Sequence, residues 1–221
     1  MSRFRLGCTG MLLAMLPLWA AGAERHLETN VVYGMYSGLA LLMDVHRPAN
    51  PNGYGIILVS GSGWTAPMAY SAAPLKSITP SLQYAKPLVA AGYTVFSVNH
   101  RALPRFHYPA AVEDVQRAVR FVRSNAASFG IRPDRIGAAG GSSGGHLVSM
   151  LGTLDGKGNP EDPDPVERES AKVQCVVARA APINFFKMRT AGIGATGFIA
   201  RRVKPGSSRS CAGTSRDLIL V

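Results

Sequence analysis

The run Gly140-Gly141-Ser142-Ser143-Gly144 constrains this chain more than any other stretch. It follows a short strand-like segment, Arg135–Ala139, and opens an apolar segment of helical length, Ser143–Leu154. A strand that turns directly into a helix must pass through a tight elbow, and that elbow lifts the central side chain clear of the sheet on a strained backbone. Gly140 and Gly144 supply the room such a turn needs. Ser142 is therefore the candidate nucleophile. The backbone N–H of Ser143, at the positive end of the following helix, is a candidate donor to an oxyanion.

The segments before the elbow read as alternating strands and helices. Thr29–Tyr36 and Leu39–Arg47 are strand-length runs separated by Ser37-Gly38, a hairpin signal, and Pro48 to Gly53 makes a turn. Tyr54–Ser60 is short, continuous and β-branched, which suits a strand buried on both faces. A loop from Gly61 to about Pro80 leads to a helix over Ser81–Ala91, closed by Gly92, and to a strand over Tyr93–Asn99. Pro109–Ser124 places Ala111, Val112, Val115, Val119 and Val122 on one helical face and its arginines mainly on the other. After the elbow helix, Asp155–Ala171 is an acidic loop and Val173–Ala180 a further strand, expected to be buried with Cys175 inside it. Strands alternating with helices imply parallel strands joined by right-handed crossovers.

The loop after Tyr54–Ser60 contains Ser60-Gly61-Ser62-Gly63-Trp64. Backbone N–H groups of Gly61, Ser62 and Gly63 pointing inward would form the second arm of an oxyanion hole, with Trp64 walling an acyl pocket or simply packing. Residues 61–66 also fit the spacing G-x-G-x-x-A of a dinucleotide-binding turn. No Asp or Glu occurs from Thr65 through Val112 to hold a ribose, and Pro67 opposes a helix at that point, so this reading is set aside.

Charge bears on partners only after it is divided by segment. The net +11 splits into +2 in the first residues, +6 over residues 187–221 and +3 over residues 24–186, so the central part is only mildly basic. The basic tail has a single aromatic, Phe198, rather than interleaved ones, and no helical moment, which argues against nucleic acid or an anionic membrane as its partner. Residues 1–23, with Arg3 and Arg5 before an apolar stretch and Ala21-Gly22-Ala23 after it, read as a cleaved export signal. The expectation is a secreted or periplasmic protein with no stable membrane span after cleavage. Residues 24–186 would form one domain, for which 47% hydrophobic and 17% charged residues are ample.

Several ordered motifs together resemble the esterase/lipase group of α/β-hydrolases, which includes hormone-sensitive-lipase-like carboxylesterases and bacterial acetyl- and feruloyl-esterase-type enzymes. They are DVHRPAN, IILVSGSGW, AGYTVFSVNHRALPRFHYPAAVEDVQRAV, PDRIGAAGGSSGGHLVSM and VQCVVARAAPINF, spread from about Leu39 to Phe185. The resemblance implies an α/β fold: a mostly parallel sheet with an N-terminal antiparallel hairpin and flanking helices, incomplete at the C-terminus. It implies a small-molecule carboxylic ester as substrate, Ser142 as nucleophile, Ser143 and Gly61 to Gly63 as the oxyanion hole, and no metal or organic cofactor. Ser60 and Ser62 depart from the His-Gly-Gly-Gly pattern of many members. Asp114 matches an acidic position on the helix after the second crossover, and its pairing with Arg101 reads as structural.

In such a fold the acid and the histidine follow the serine along the chain. Here only His146 follows Ser142, four residues on, where packing is the expected role. His100 or His107 could reach the site as a substitute base. Residues 187–221 do not resemble the family's continuation, and the expectation is a truncated chain with weak activity, or a hydrolase fold kept as a binding protein.

Overall fold

The computed structural model describes residues 26–185, so the export-signal reading of residues 1–23 and the basic tail 187–221 lie outside the described residues. The hairpin forms as expected: β1 (His26–Tyr36) pairs antiparallel with β2 (Leu39–Arg47) through Ser37 and Gly38, both at positive φ. β3 (Gly55–Val59), β4 (Thr94–Val98), β5 (Ile136–Gly141) and β6 (Cys175–Arg179) complete a six-stranded sheet in the order β1-β2-β4-β3-β5-β6. From β4 to β6 every neighbouring pair is parallel. β3 lies at the middle of that parallel set, which is why its residues form a continuous apolar run rather than an alternating one.

Among the described residues three helices cover the sheet: α1 (Thr79–Ala90), α2 (Ala110–Ser124) and α3 (Ser143–Thr153). Strand parity divides the core. Ile57, Val59, Phe96, Val98, Ile136 and Ala138 join Val115, Val119 and Val122 of α2 and Leu147 and Val148 of α3 in one cluster. Leu58 and Val95, on the opposite face, pack with Ala85 and Val89 of α1. Of the α2 valines that the helical spacing singled out, Val115, Val119 and Val122 are completely buried and Val112 nearly so, each worth about 1.5–3 kcal/mol of apolar transfer as an upper estimate.

Four details differ from the sequence reading. α1 starts at Thr79, two residues early, and a 3-10 turn at Leu75–Ser77 occupies part of the long loop. β5 runs through Gly140 and Gly141, because Ser142 N–H still donates to the carbonyl of Arg179 at 2.9 Å and so continues the pairing with β6. β6 is half-exposed along its length rather than buried, and Cys175 is half-buried, since β6 is an outer strand of the sheet among the described residues. The arginines of α2 are not simply solvated: Arg117 pairs with Asp164 at 2.6 Å and Glu167 at 3.0 Å, and Arg120 with Glu167 at 3.2 Å, tying the acidic loop to the helix.

Candidate active site

The C-terminal ends of β3, β4 and β5 meet at one edge of the sheet, and Ser142 follows β5 there. Its backbone has φ 52° and ψ −126°, a conformation that side-chain-bearing residues rarely adopt and that persists only where the surroundings enforce it. The enforcing contacts are backbone against backbone. A Cβ on Gly140 would come 2.5 Å from the Gly144 carbonyl oxygen. One on Gly144 would overlap the carbonyl oxygen of Val59 and lie 2.7 Å from that of Ser60. Helix and strand approach this closely only because neither residue has a side chain.

Ser142 is exposed, whereas Ser143 is buried, with 1% exposure. Of the two adjacent hydroxyls, only that of Ser142 is placed for attack from solvent. Ser143 is the first residue of α3, so its N–H has no partner inside the helix, and no acidic side chain in the first turn offsets the positive helix end.

The Gly61 loop lies against this turn: a Cβ on Gly61 would fall 2.6 Å from the Gly141 carbonyl oxygen and 2.9 Å from Ser142 Cβ. Neither the Gly61 nor the Gly63 N–H donates a hydrogen bond among the described residues. Ser62 differs from the expectation. Its N–H donates to Ser143 Oγ at 2.8 Å, so it does not point inward with its neighbours. No helix starts at this loop, as Pro67 foretold; residues 61–74 are irregular.

Three anchors of the loop have no sequence signal strong enough to have singled them out. Ser60, which stands where many esterases have a histidine, donates its hydroxyl to the Leu75 carbonyl at 2.7 Å. The Leu75 N–H donates to Asn99 Oδ1 at 2.9 Å. Lys76, 4% exposed, pairs with Asp44, 6% exposed, at 2.5 Å. A lysine in a polar loop ordinarily reads as solvated; here it joins the loop to β2 through a buried ion pair.

Trp64 is half-buried. Its indole N–H donates to His146 Nδ1 at 3.3 Å, and both rings contact Phe185, Trp64 tilted at a centroid distance of 5.6 Å and His146 edge-on at 5.1 Å. His146 thus packs, as its position suggested. His100 does not serve as a substitute base: its Nδ1 is bonded to the Arg101 carbonyl at 2.8 Å, and its buried Nε2 has no partner, so it does not hold the Ser142 hydroxyl. His107 is exposed and makes no hydrogen bond to Ser142. Beyond Trp64 the loop borders a cavity of about 670 Å³, lined among others by Leu41, Met68, Tyr70, His100 and Phe106. Among the described residues no group of three or more His, Cys, Asp or Glu side chains could hold a metal ion.

Burial pushes the imidazoles of His46, His100 and His146 below the ordinary value of 6.5. The unfolded chain therefore takes up protons near pH 6.5 that the native state refuses. Stability is full above that value and falls as pH drops toward the lower native values. We expect Tm to fall between about pH 7.5 and about pH 5.5, measured by circular dichroism; a flat or rising Tm would show that the three rings protonate in place. The depressed carboxyl of Asp164, held low by hydrogen bonds from the Val166 N–H and Arg117, adds its loss only in stronger acid.

The family model described as BD-FAE matches residues 43–203. Esterase LipQ of Mycobacterium tuberculosis is 37% identical over 99 residues, covering 43% of this chain and 21% of that protein. The acetylxylan esterase of Xylanibacter ruminicola is 29% identical over 150 residues, covering 68% of this chain and 28% of its own length. A solved structure described as a truncated form of carbohydrate esterase from gut microbiota superposes with a TM-score of 0.59 at 31% identity, over 74% of this chain and 59% of that one. The chain spans under a third of the length of these two curated relatives. The sheet and its flanking helices are those of α/β-hydrolase esterases.

Proposed function

This chain belongs to the BD-FAE family, and on that premise we propose that it carries the nucleophile of a serine carboxylester hydrolase. Ser142 attacks the ester carbonyl. The N–H groups of Ser143, Gly61 and Gly63 hold the negative charge that develops on the oxygen; collapse of the tetrahedral adduct breaks the ester C–O bond and releases the alcohol, which carries away the proton lost from the serine hydroxyl, and water then cleaves the acyl–Oγ bond to give the carboxylic acid and free Ser142. These steps call on no metal or organic cofactor. The observation that carries the reading is the backbone of Ser142, an exposed serine at positive φ on a helix N-terminus, with the Gly61 loop pressed against it.

Trp64 walls the acyl side of the site in this reading. The relatives are named as esterases, two of them for carbohydrate substrates, which makes an acetylated xyloside the first ester to assay beside p-nitrophenyl acetate. Turnover by these 221 residues alone is expected to be low, because the nearby rings are engaged: His100 with the Arg101 carbonyl and His146 with Trp64. The test compares the chain with Ser142→Ala on both esters and looks for an acetyl adduct on Ser142 by mass spectrometry after quenching. A higher rate and an adduct in the unaltered chain are expected; equal rates in both proteins would remove the enzyme reading.

Export rests on residues 1–23 alone. Expression with this segment in a bacterial host should yield a periplasmic product starting at Glu24, read by N-terminal sequencing; a product retaining residues 1–23 would refute cleavage there. Among the described residues no helix is long and apolar enough to cross a membrane.

A further inference from the structure

Ser143 contributes more than a backbone donor. Its hydroxyl accepts the Ser62 N–H at 2.8 Å, from a position almost wholly out of water. Two residues further along the same loop, the Trp64 indole donates to His146. The two donors bracket Gly63, and both acceptors come from the first turns of α3, the helix that Ser142 caps. Gly63 itself has φ +65° and no atom within 4 Å of where a Cβ would lie. The peptide that carries its N–H is held within the loop, where the Ser62 carbonyl accepts the Thr65 N–H at 3.2 Å and the Thr65 hydroxyl at 2.7 Å, so the placement of that peptide over Ser142 depends on how the loop as a whole is docked. A glycine in open space carries the largest backbone freedom of any residue. An oxyanion donor is effective only when it is fixed before the charge develops, so something outside Gly63 must fix it.

We propose that the Ser143 hydroxyl is a positioning residue for hydrolysis at Ser142, docking the Ser60–Trp64 loop onto the nucleophile helix so that both arms of the oxyanion hole keep one common target. The inference rests on the serine-hydrolase reading above. One residue then links the arms: its N–H is a donor of one, and its Oγ holds the other through Ser62.

The test uses the full chain with Ser143→Ala and Ser143→Thr. Hydrogen exchange of the segment spanning Ser62, followed by mass spectrometry, reads the bond itself. Turnover of p-nitrophenyl acetate reads its consequence. Deleting an oxyanion donor outright costs about 10²–10³ in kcat; loosening the loop that carries one should cost less, on the order of tenfold. The expected result for Ser143→Ala is roughly tenfold faster exchange at Ser62 and a roughly tenfold lower kcat, with KM unchanged; loss of the hydrogen bond, about 1 kcal/mol, also lowers Tm by about 2–4 °C. Ser143→Thr, which keeps the hydroxyl, should restore both. Unchanged exchange or an unchanged kcat in Ser143→Ala, or a Thr variant no better than Ala, would overturn the proposal while leaving the nucleophile assignment intact. Equal turnover by the unaltered chain and by Ser142→Ala would instead overturn the hydrolase reading, and the proposal with it.

Discussion

Asp114→Asn is expected to lower stability by about 3 kcal/mol, the lower end of the range for breaking a buried ion pair. Asp114, 1% exposed, accepts three hydrogen bonds from Arg101: its carboxylate takes Nε at 2.9 and 3.0 Å and the backbone N–H at 2.6 Å. The guanidinium also approaches Oδ1 to 2.7 Å and lies 3.8 Å from the centroid of the Tyr36 ring. Asparagine keeps the shape and removes the charge. A buried guanidinium would then face an amide, with only Glu113, more than half exposed, left as counter-charge at 3.0 Å. Glu113 is the reason for choosing the lower figure. For a domain of this size about 3 kcal/mol corresponds to a Tm lower by roughly 6–12 °C. Urea unfolding followed by circular dichroism gives the number. A variant that keeps its stability yet loses ester turnover would move Asp114 from scaffold to active site.

Gly144→Ala tests the elbow with opposing effects of known size. In a helix interior, alanine is favoured over glycine by about 1 kcal/mol. Here the added Cβ meets the carbonyl oxygens of Val59 and Ser60, both backbone atoms of the central strand and its exit, which cannot swing aside as a side chain would. Overpacking in a core costs about 1–3 kcal/mol and more when the backbone must move, so the clash outweighs the helical gain. The expected outcome is a net loss of about 2 kcal/mol or more, together with loss of any turnover at Ser142, because α3 must lift from β3. Gly152→Ala on the same helix serves as the contrast. Its nearest neighbour is a Val176 methyl at 3.0 Å, able to give slightly, so a change near zero is expected. Equal effects at the two positions would mean that the helix already has room at the elbow.

Much of the scaffold was readable along the chain. Hydrophobic spacing placed both strands of the hairpin, the parallel strands and α2 to within a few residues, because a period of two or of 3.6 records which side of an element faces the core. Ser142 was readable for a similar reason: a strained strand-to-helix elbow admits few sequences, and the glycines it needs are local. The boundary errors fall where local preference is weak. β5 extends to Gly141 because of a partner strand, and the turn at Leu75–Ser77 is stabilised by contacts with Asn99 and Asp44 far away in sequence.

The Gly61 loop shows where local reading ends. Its glycines were visible, but the direction of the Ser62 N–H was not, because it is set by Ser143, 81 residues away. Trp64 meets His146 across 82 residues. The same holds for Arg117 and Arg120, whose place on the polar face of α2 suggested solvent until the acidic loop folded over them. The amino-acid sequence by itself determined the order and type of the elements and the identity of the exposed serine, since both follow from short-range sterics and periodicity. Only the tertiary structure decided which backbone N–H groups beside Ser142 stay unbonded, which histidines are already committed and which charges are buried in pairs. Those properties belong to polar groups that find partners only once distant segments of the chain have packed together.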